Sequence, residues 1–418
     1  MIEDRKPKFF YGYVVVIAAF IIMMVMGGTL YSFGVFFKPL LTEFGWTRAM
    51  TSGAFSLSML MYGALAIVTG RLSDRFGPRI VATVCGFLLG LGYLLMSQIG
   101  AIWHFYLFYG VIIGIGLSGY YVPLVSTAAR WFTQRRGMMT GIVVSGLGIG
   151  TVIMPPIASW LISTYGWRTS YIIMGIIALV FTILAAQFLR RDPGQMRLLP
   201  YGEKGVEEDS LGLEAGGFSF RQAIHTRQFW LLCAINICFG FFLQVIMVHI
   251  VPHATDLEIS AASAASVLAI IGGTSTAGRI TMGSISDRIG NKSAFIICCI
   301  MLSIALFWLL AAKELWMFCL FAGIFGFGYG GSLPVVSLIM AELFGLSSLG
   351  AILGSTDFIL TIGAAVGPVL AGRIFDITGS YQPAFLVCAI ISVTGVILAS
   401  LLRPTGSRGG EIESKRST

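Results

Sequence analysis

Charge is scarce in this chain of 418 residues: Asp, Glu, Lys and Arg make up 11% of it, against 56% hydrophobic residues and a mean hydropathy of +0.88. A soluble domain carries about 25% charged residues, so a water-soluble protein of this length is excluded and the solvent must be largely lipid. Histidine is rarer still, with four residues. The cysteines Cys85, Cys233, Cys238, Cys298, Cys299, Cys319 and Cys388 all fall inside apolar stretches without metal-ligand spacing, and they read as packing residues. No phosphate loop with its lysine, no zinc-binding helix pattern and no G-x-S-x-G turn occurs, so neither catalysis nor a cofactor is expected. The net charge of +8 sits in short clusters between apolar runs rather than on one face, which speaks against a nucleic-acid partner.

What the sequence has in abundance is long apolar runs. Only helices and closed barrels cross a bilayer, because each backbone polar group there needs an internal partner. Unbroken runs of about 20 residues select helices, whereas a barrel would alternate. Cutting at charges and turn residues predicts twelve spans, at 13–36, 50–70, 80–98, 105–129, 138–163, 170–188, 228–251, 261–282, 292–312, 315–341, 349–372 and 382–402. The fold class expected is an all-α membrane protein of two six-helix halves, 1–189 and 228–402, joined by a polar linker at 190–227 and followed by a tail at 403–418. After Arg5, Lys6 and Lys8 no charge occurs from Phe9 to Phe37, a run too long for a signal-peptide core, so the first helix is expected to be retained. Trp46, Trp103, Trp131, Trp167, Trp230 and Trp316 fall near predicted helix ends, as interfacial anchors do. Of 27 Lys and Arg residues, 21 fall on the side shared by both termini and the linker. That bias predicts cytoplasmic termini in a plasma (inner) membrane, and a monomer is expected.

The two halves repeat at an offset of 213 residues. Gly70, Asp74, Arg75, Gly77 and Arg79 in GRLSDRFGPR recur as Gly283, Asp287, Arg288, Gly290 and Lys292 in GSISDRIGNK, while Pro155 recurs as Pro368 and Gly166 as Gly379. The pattern G-x-x-x-D-R-x-G-x-[RK] resembles the loop signature of the major facilitator superfamily. The resemblance implies that Asp74, Arg75, Asp287 and Arg288 act in gating; a turn that merely sets topology is the other reading. A narrower resemblance rests on YGYVVVIAAF at Tyr11–Phe20, RWFTQRRGMMTGIVVSG at Arg130–Gly146 and the arginine of helix 8. Together these are similar to the monocarboxylate porter branch and its neighbours, the oxalate and formate antiporters.

Arg279 is the one basic residue well inside a predicted span. A charge at that depth costs about 2.5–3.5 kcal/mol, so it either faces a cavity that holds an anion or snorkels past Gly283, about 6 Å along the helix. Its planar fork suits both oxygens of a carboxylate, and the family places its substrate arginine at this point of helix 8. Ser275 lies four residues earlier on the same helix face. Here the sequence departs from the animal monocarboxylate porters, which carry an aspartate at the Ser275 position and a lysine where Tyr31 stands.

Three groups remain as proton-coupling candidates: Asp357 in helix 11, His249 late in helix 7, and Asp256 beyond it. Each has a plainer reading, as a partner for a hinge arginine, a packing histidine and a solvated loop carboxylate respectively. Tyr120, Tyr121 and Tyr329 lie in glycine-rich segments of helices 4 and 10, where they either bind substrate or pack. The resemblance implies a secondary transporter of a small monocarboxylate such as lactate or pyruvate, moved with a proton. The alternative is an oxalate- or formate-type anion antiporter.

Overall fold

The computed structural model describes residues 10–132, 134–196, 201, 218–345 and 349–402. The tail at 403–418 and most of the expected linker, 197–200 and 202–217, lie outside the described residues. What is described is helical nearly throughout.

Chain order gives α1 (Gly12–Phe44), α2 (Arg48–Phe76), α3 (Pro78–Met96) and α4 (Ile102–Trp131). A single hydrogen-bonded run, Arg136–Gln187, follows. Gly166 interrupts it at φ 78° and ψ 162°, so it is two helices, α5 (136–165) and α6 (167–187). The second half supplies α7 (Arg227–Asp256), α8 (Ala261–Ile289), α9 (Asn291–Ala311), α10 (Leu315–Phe344), α11 (Leu349–Thr378) and α12 (Gln382–Leu401). All twelve expected spans are present. Several run longer than the apolar stretches that announced them, and Lys38, Arg48 and Arg373 lie inside helices. Cutting at a charge underestimates a helix because the backbone hydrogen bonds continue through the polar interface.

The repeat has a geometric counterpart. Thr47 caps α2 by accepting from the Met50 backbone at 3.2 Å, and 213 residues on, Ser260 caps α8 by accepting from Ser263 at 3.2 Å. Gly77 ends α2 at φ 90° and Gly290 ends α8 at φ 86°. A side chain at either turn would be strained, which is why both signature loops carry glycine there. The large apolar side chains exposed on the outside of the bundle, among them Ile17, Ile67, Leu184, Ile304 and Ile377, form its lipid-facing surface. Trp103, Trp230 and Trp316 are exposed near helix ends as expected of anchors. Trp131 differs: it is fully buried against Phe10 and Tyr11, and its Nε1 donates to the Arg190 carbonyl at 2.9 Å.

The ends of the bundle differ. At the end away from the linker, the far end, Lys38 and Arg48 pair with Asp256 of the other half. The α5–α8 seam is tight enough that a Cβ on Gly272 would lie 2.7 Å from the Gly148 carbonyl. No ion pair joins the halves at the linker end among the described residues. The described ion pairs between the halves are thus confined to the far end.

Candidate functional site

Arg279, in α8, reaches across to the other half, where its Nη1 donates to the Val144 carbonyl of α5 at 2.7 Å. Its Nε and Nη2 are buried without a hydrogen-bond partner. The guanidinium carbon lies 5.9 Å from the centre of the Tyr329 ring, and the Tyr329 hydroxyl is 3.4 Å from that of Tyr31 in α1. Four helices therefore converge on a cation with one edge tied to a backbone carbonyl and the other open. Beside it lies a narrow cleft, lined also by Gly148, Thr151 and Ser275, which in this arrangement is too tight to admit a water-sized sphere. The side chain turns into the space between the halves, not toward the membrane surface.

Close backbone approach makes this possible. A Cβ on Gly330 would sit 1.9 Å from the Ser275 carbonyl, and one on Gly278 would sit 2.2 Å from the Phe327 carbonyl. Only glycine on both helices lets α8 and α10 cross at that distance, and the crossing brings Tyr329 beside Arg279. Ser275 is buried at the cleft wall, with its hydroxyl donating to its own helix at Gly272, 2.8 Å away. It can accept a hydrogen bond from a solute but offers no proton to a carboxylate in this arrangement.

Tyr120 and Tyr121 part company. The helix of α4 breaks at Gly119 and Tyr120 and restarts at Tyr121. Pro123 lacks the N–H that would bond back to Gly119, which removes one helical hydrogen bond at the break. Tyr120 turns into the N-terminal half, fully buried, with its hydroxyl 3.6 Å from where a Cβ on Gly86 would lie. Tyr121 lies within electrostatic reach of both Arg279 and Asp357. Of the two, Tyr121 belongs to the space between the halves and Tyr120 to the packing of one half.

Asp357 is exposed on α11 and has no hydrogen bond or ion pair among the described residues. It lies within electrostatic reach of Tyr62 in α2 and Tyr121 in α4, both from the other half. Sequence reasoning missed Tyr62, and it gave Tyr31 no role beyond marking a departure. Nothing in the sequence marked Tyr62; in the structure Gly63 beside it packs on Thr361 of α11, where a Cβ would meet the hydroxyl at 2.1 Å.

The other two coupling candidates lie elsewhere. His249 is fully buried at the far end, with Nδ1 3.0 Å from the Tyr381 hydroxyl and Nε2 2.9 Å from the Pro368 carbonyl. Asp256, expected in a solvated loop, is the last residue of α7 and pairs with Arg48 at 2.7 Å. Of the gating candidates at the linker end, Asp74 accepts from Arg130 at 2.5 Å and Arg75 lies over the Phe76 ring. Asp287 and Arg288 form no ion pair among the described residues.

A family model described as Major Facilitator Superfamily matches residues 16–281 and 231–417. The chain belongs to that superfamily. It is 28% identical to rat monocarboxylate transporter 13 over 397 residues, which covers 94% of this chain and 89% of the relative. With human monocarboxylate transporter 12 it shares 26% identity over 427 residues, covering 96% and 82%. Its fold is similar to that of a bacterial homologue of the human lysosomal transporter Spinster, solved in an inward-facing, occupied conformation. The TM-score there is 0.74 at 15% identity, with 94% of this chain and 96% of that chain covered. An unoccupied, inward-facing structure of the same homologue gives 0.71 at 16% identity, over 95% of each chain. This facilitator is thus an integral, multi-pass membrane protein built for transport.

Proposed function

We propose that this chain is a secondary carrier for a small monocarboxylate of the lactate or pyruvate kind, moved with a proton by alternating access between its two halves. The observation that carries this reading is the open edge of Arg279. Its Nε and Nη2 are buried and unpartnered, and this adjacent pair of guanidinium donors is the fork that matches the two oxygens of a carboxylate. A buried cation without a counter-ion is costly, and a substrate anion offsets that cost. Asp357 brings a carboxylate rather than a second cation to the same space, which favours a monoanion over a dianion such as oxalate.

The proton follows from electrostatics. An anion entering a cell that is negative inside works against about 2.3 kcal/mol per charge per 100 mV, and a co-transported proton removes that penalty. Asp357 is the first candidate to hold it, because it shares Tyr121 as a neighbour with Arg279. His249 and Asp256 are second candidates from the far end, and Asp74, Arg75, Asp287 and Arg288 are the gating set at the linker end. On the charge bias of the sequence, the linker and both termini face the cytoplasm; a monomer in the plasma membrane is part of the same proposal. The test is uptake of labelled lactate, pyruvate, acetate, formate and oxalate by proteoliposomes with and without an imposed pH gradient. Accumulation of lactate or pyruvate driven by the gradient supports the reading. Exchange of formate or oxalate that ignores the gradient would make the protein an antiporter instead.

A further inference from the structure

At the far end, the internal repeat is broken in one informative place. In the N-terminal half, Glu43 near the end of α1 is neutralised within its own half by Arg168 at the start of α6, and Trp167 Nε1 adds a hydrogen bond of 2.5 Å. The offset of 213 residues carries Glu43 to Asp256 and Arg168 to Tyr381. The paired caps Thr47 and Ser260 show that this offset holds through the region. The C-terminal half therefore keeps the carboxylate and lacks its cation. Arg48, from the opposite half, supplies it.

Arg48 is the first residue of α2, and its contacts form a cluster. Nη2 lies 2.7 Å from Asp256 Oδ2, Nη1 donates to the Tyr381 hydroxyl at 2.7 Å, and the guanidinium carbon stands 3.6 Å from the Phe375 ring centre. The backbone N–H groups of Arg48 and Ala49 each donate to the Asp376 carboxylate, both at 2.9 Å. An anion at a helix N-terminus is favoured by the unsatisfied amides and by the helix dipole. Lys38 adds a 3.5 Å contact to Asp256 and donates to the Thr255 carbonyl at 3.3 Å. Every one of these contacts joins residues 38–49 to residues 255–381, so every one crosses between the halves.

The arrangement is one-sided. The repeat-mates of Arg48 and Asp376 are Ala261 and Ser163, so the symmetry-related crossing, α5 with α8, has no charge at that place. That seam packs glycine on glycine instead: a Cβ on Gly148 would meet Thr276 Oγ1 at 2.3 Å, and one on Gly272 would meet the Gly148 carbonyl at 2.7 Å. We propose that Arg48 is a gating residue which latches α2 to α7 and α11, and that its release from Asp256, Asp376 and Tyr381 opens the far side while the uncharged α5–α8 seam serves as the pivot. The latch rests on the reading of this chain as an alternating-access carrier, but not on the identity of its substrate.

The test is a distance measurement that needs no substrate. Spin labels are placed at Gln98→Cys and Lys313→Cys, exposed far-end positions in opposite halves, in full-length protein whose seven native cysteines are replaced by alanine. Wild type is expected to give mainly the short distance. Arg48→Ala is expected to raise the long-distance fraction at least fivefold, and Asp376→Ala to raise it in the same direction. The double variant Arg48→Ala/Asp256→Asn separates a latch from simple charge neutralisation. A latch predicts that the double variant stays open, because the bridge is missing whether or not Asp256 is charged. Return of the double variant to the wild-type distribution would overturn the proposal, as would unchanged distances in both Arg48→Ala and Asp376→Ala. Wild-type protein that takes up none of the carboxylates while the distances behave as predicted would refute the substrate reading alone.

Discussion

Replacing Arg279 by glutamine tests the substrate site with a magnitude that the geometry supplies. Glutamine removes the charge and the fork. Arg279 spends Nη1 on the Val144 carbonyl, so Nε and Nη2 are the donors available to a carboxylate. A hydrogen bond to a charged group contributes about 1.5–3 kcal/mol net. Taking that range for the pair, because the side chain is only half-buried, the variant is expected to weaken carboxylate binding by about 10-fold to 150-fold. Arg279→Lys keeps the charge and loses the planar fork, so it is expected to fall between the two. The assay is concentration-dependent uptake in proteoliposomes, with equilibrium binding of the same acid to the detergent-purified protein. A monodisperse elution profile for each variant separates a lost site from a lost fold. Wild-type affinity in a folded Arg279→Gln protein would refute the argument, and the anion would then have to be held elsewhere.

Three further outcomes are expected. Asp357→Asn is expected to abolish the rise in uptake as external pH falls while leaving exchange at equal pH; a pH response of wild-type size would move the proton to another group, with His249 and Asp256 next to be tested. Gly330→Ala forces a Cβ to within 1.9 Å of the Ser275 carbonyl and is expected to cost about 1–3 kcal/mol by overpacking, read as a lower thermal unfolding midpoint in detergent. Gly283→Ala, inside α8 where nothing lies within 4 Å, is the control and should leave that midpoint unchanged or slightly raised. Cysteines introduced between Arg190 and Arg227 are expected to react with an impermeant label only after cells are permeabilised, and labelling of intact cells would reverse the topology.

Asp256 and Tyr120 illustrate how far the sequence could be read. Asp256 was visible as a titratable residue near a helix end, but its partner Arg48 lies over 200 residues away in the other half. The repeat held a clue to that pairing, because position 381 offers tyrosine where position 168 offers arginine. Tyr120 and Tyr121 were inseparable in sequence, and the break before Pro123 sends them to different places. Tyr62 was missed because a tyrosine in an apolar run looks like any other packing aromatic.

The sequence by itself determined the solvent, the secondary structure, the number of spans and the two-fold repeat. Each follows from a local quantity: the length of an apolar run against the bilayer thickness, the need to satisfy every backbone amide within it, and glycines where the chain turns at positive φ. It also singled out Arg279, because a charge at that depth is costly wherever it points. Only the tertiary structure decided which faces meet. A helix that is apolar all round carries no phase information, since lipid-facing and protein-facing sides are equally hydrophobic. The open edge of Arg279, the approach of Tyr31 to Tyr329, and the grip of Asp376 on the first amides of α2 therefore had to come from packing. They depend on backbone separations set by glycines on two helices at once, and on contacts between residues as far apart as 48 and 376.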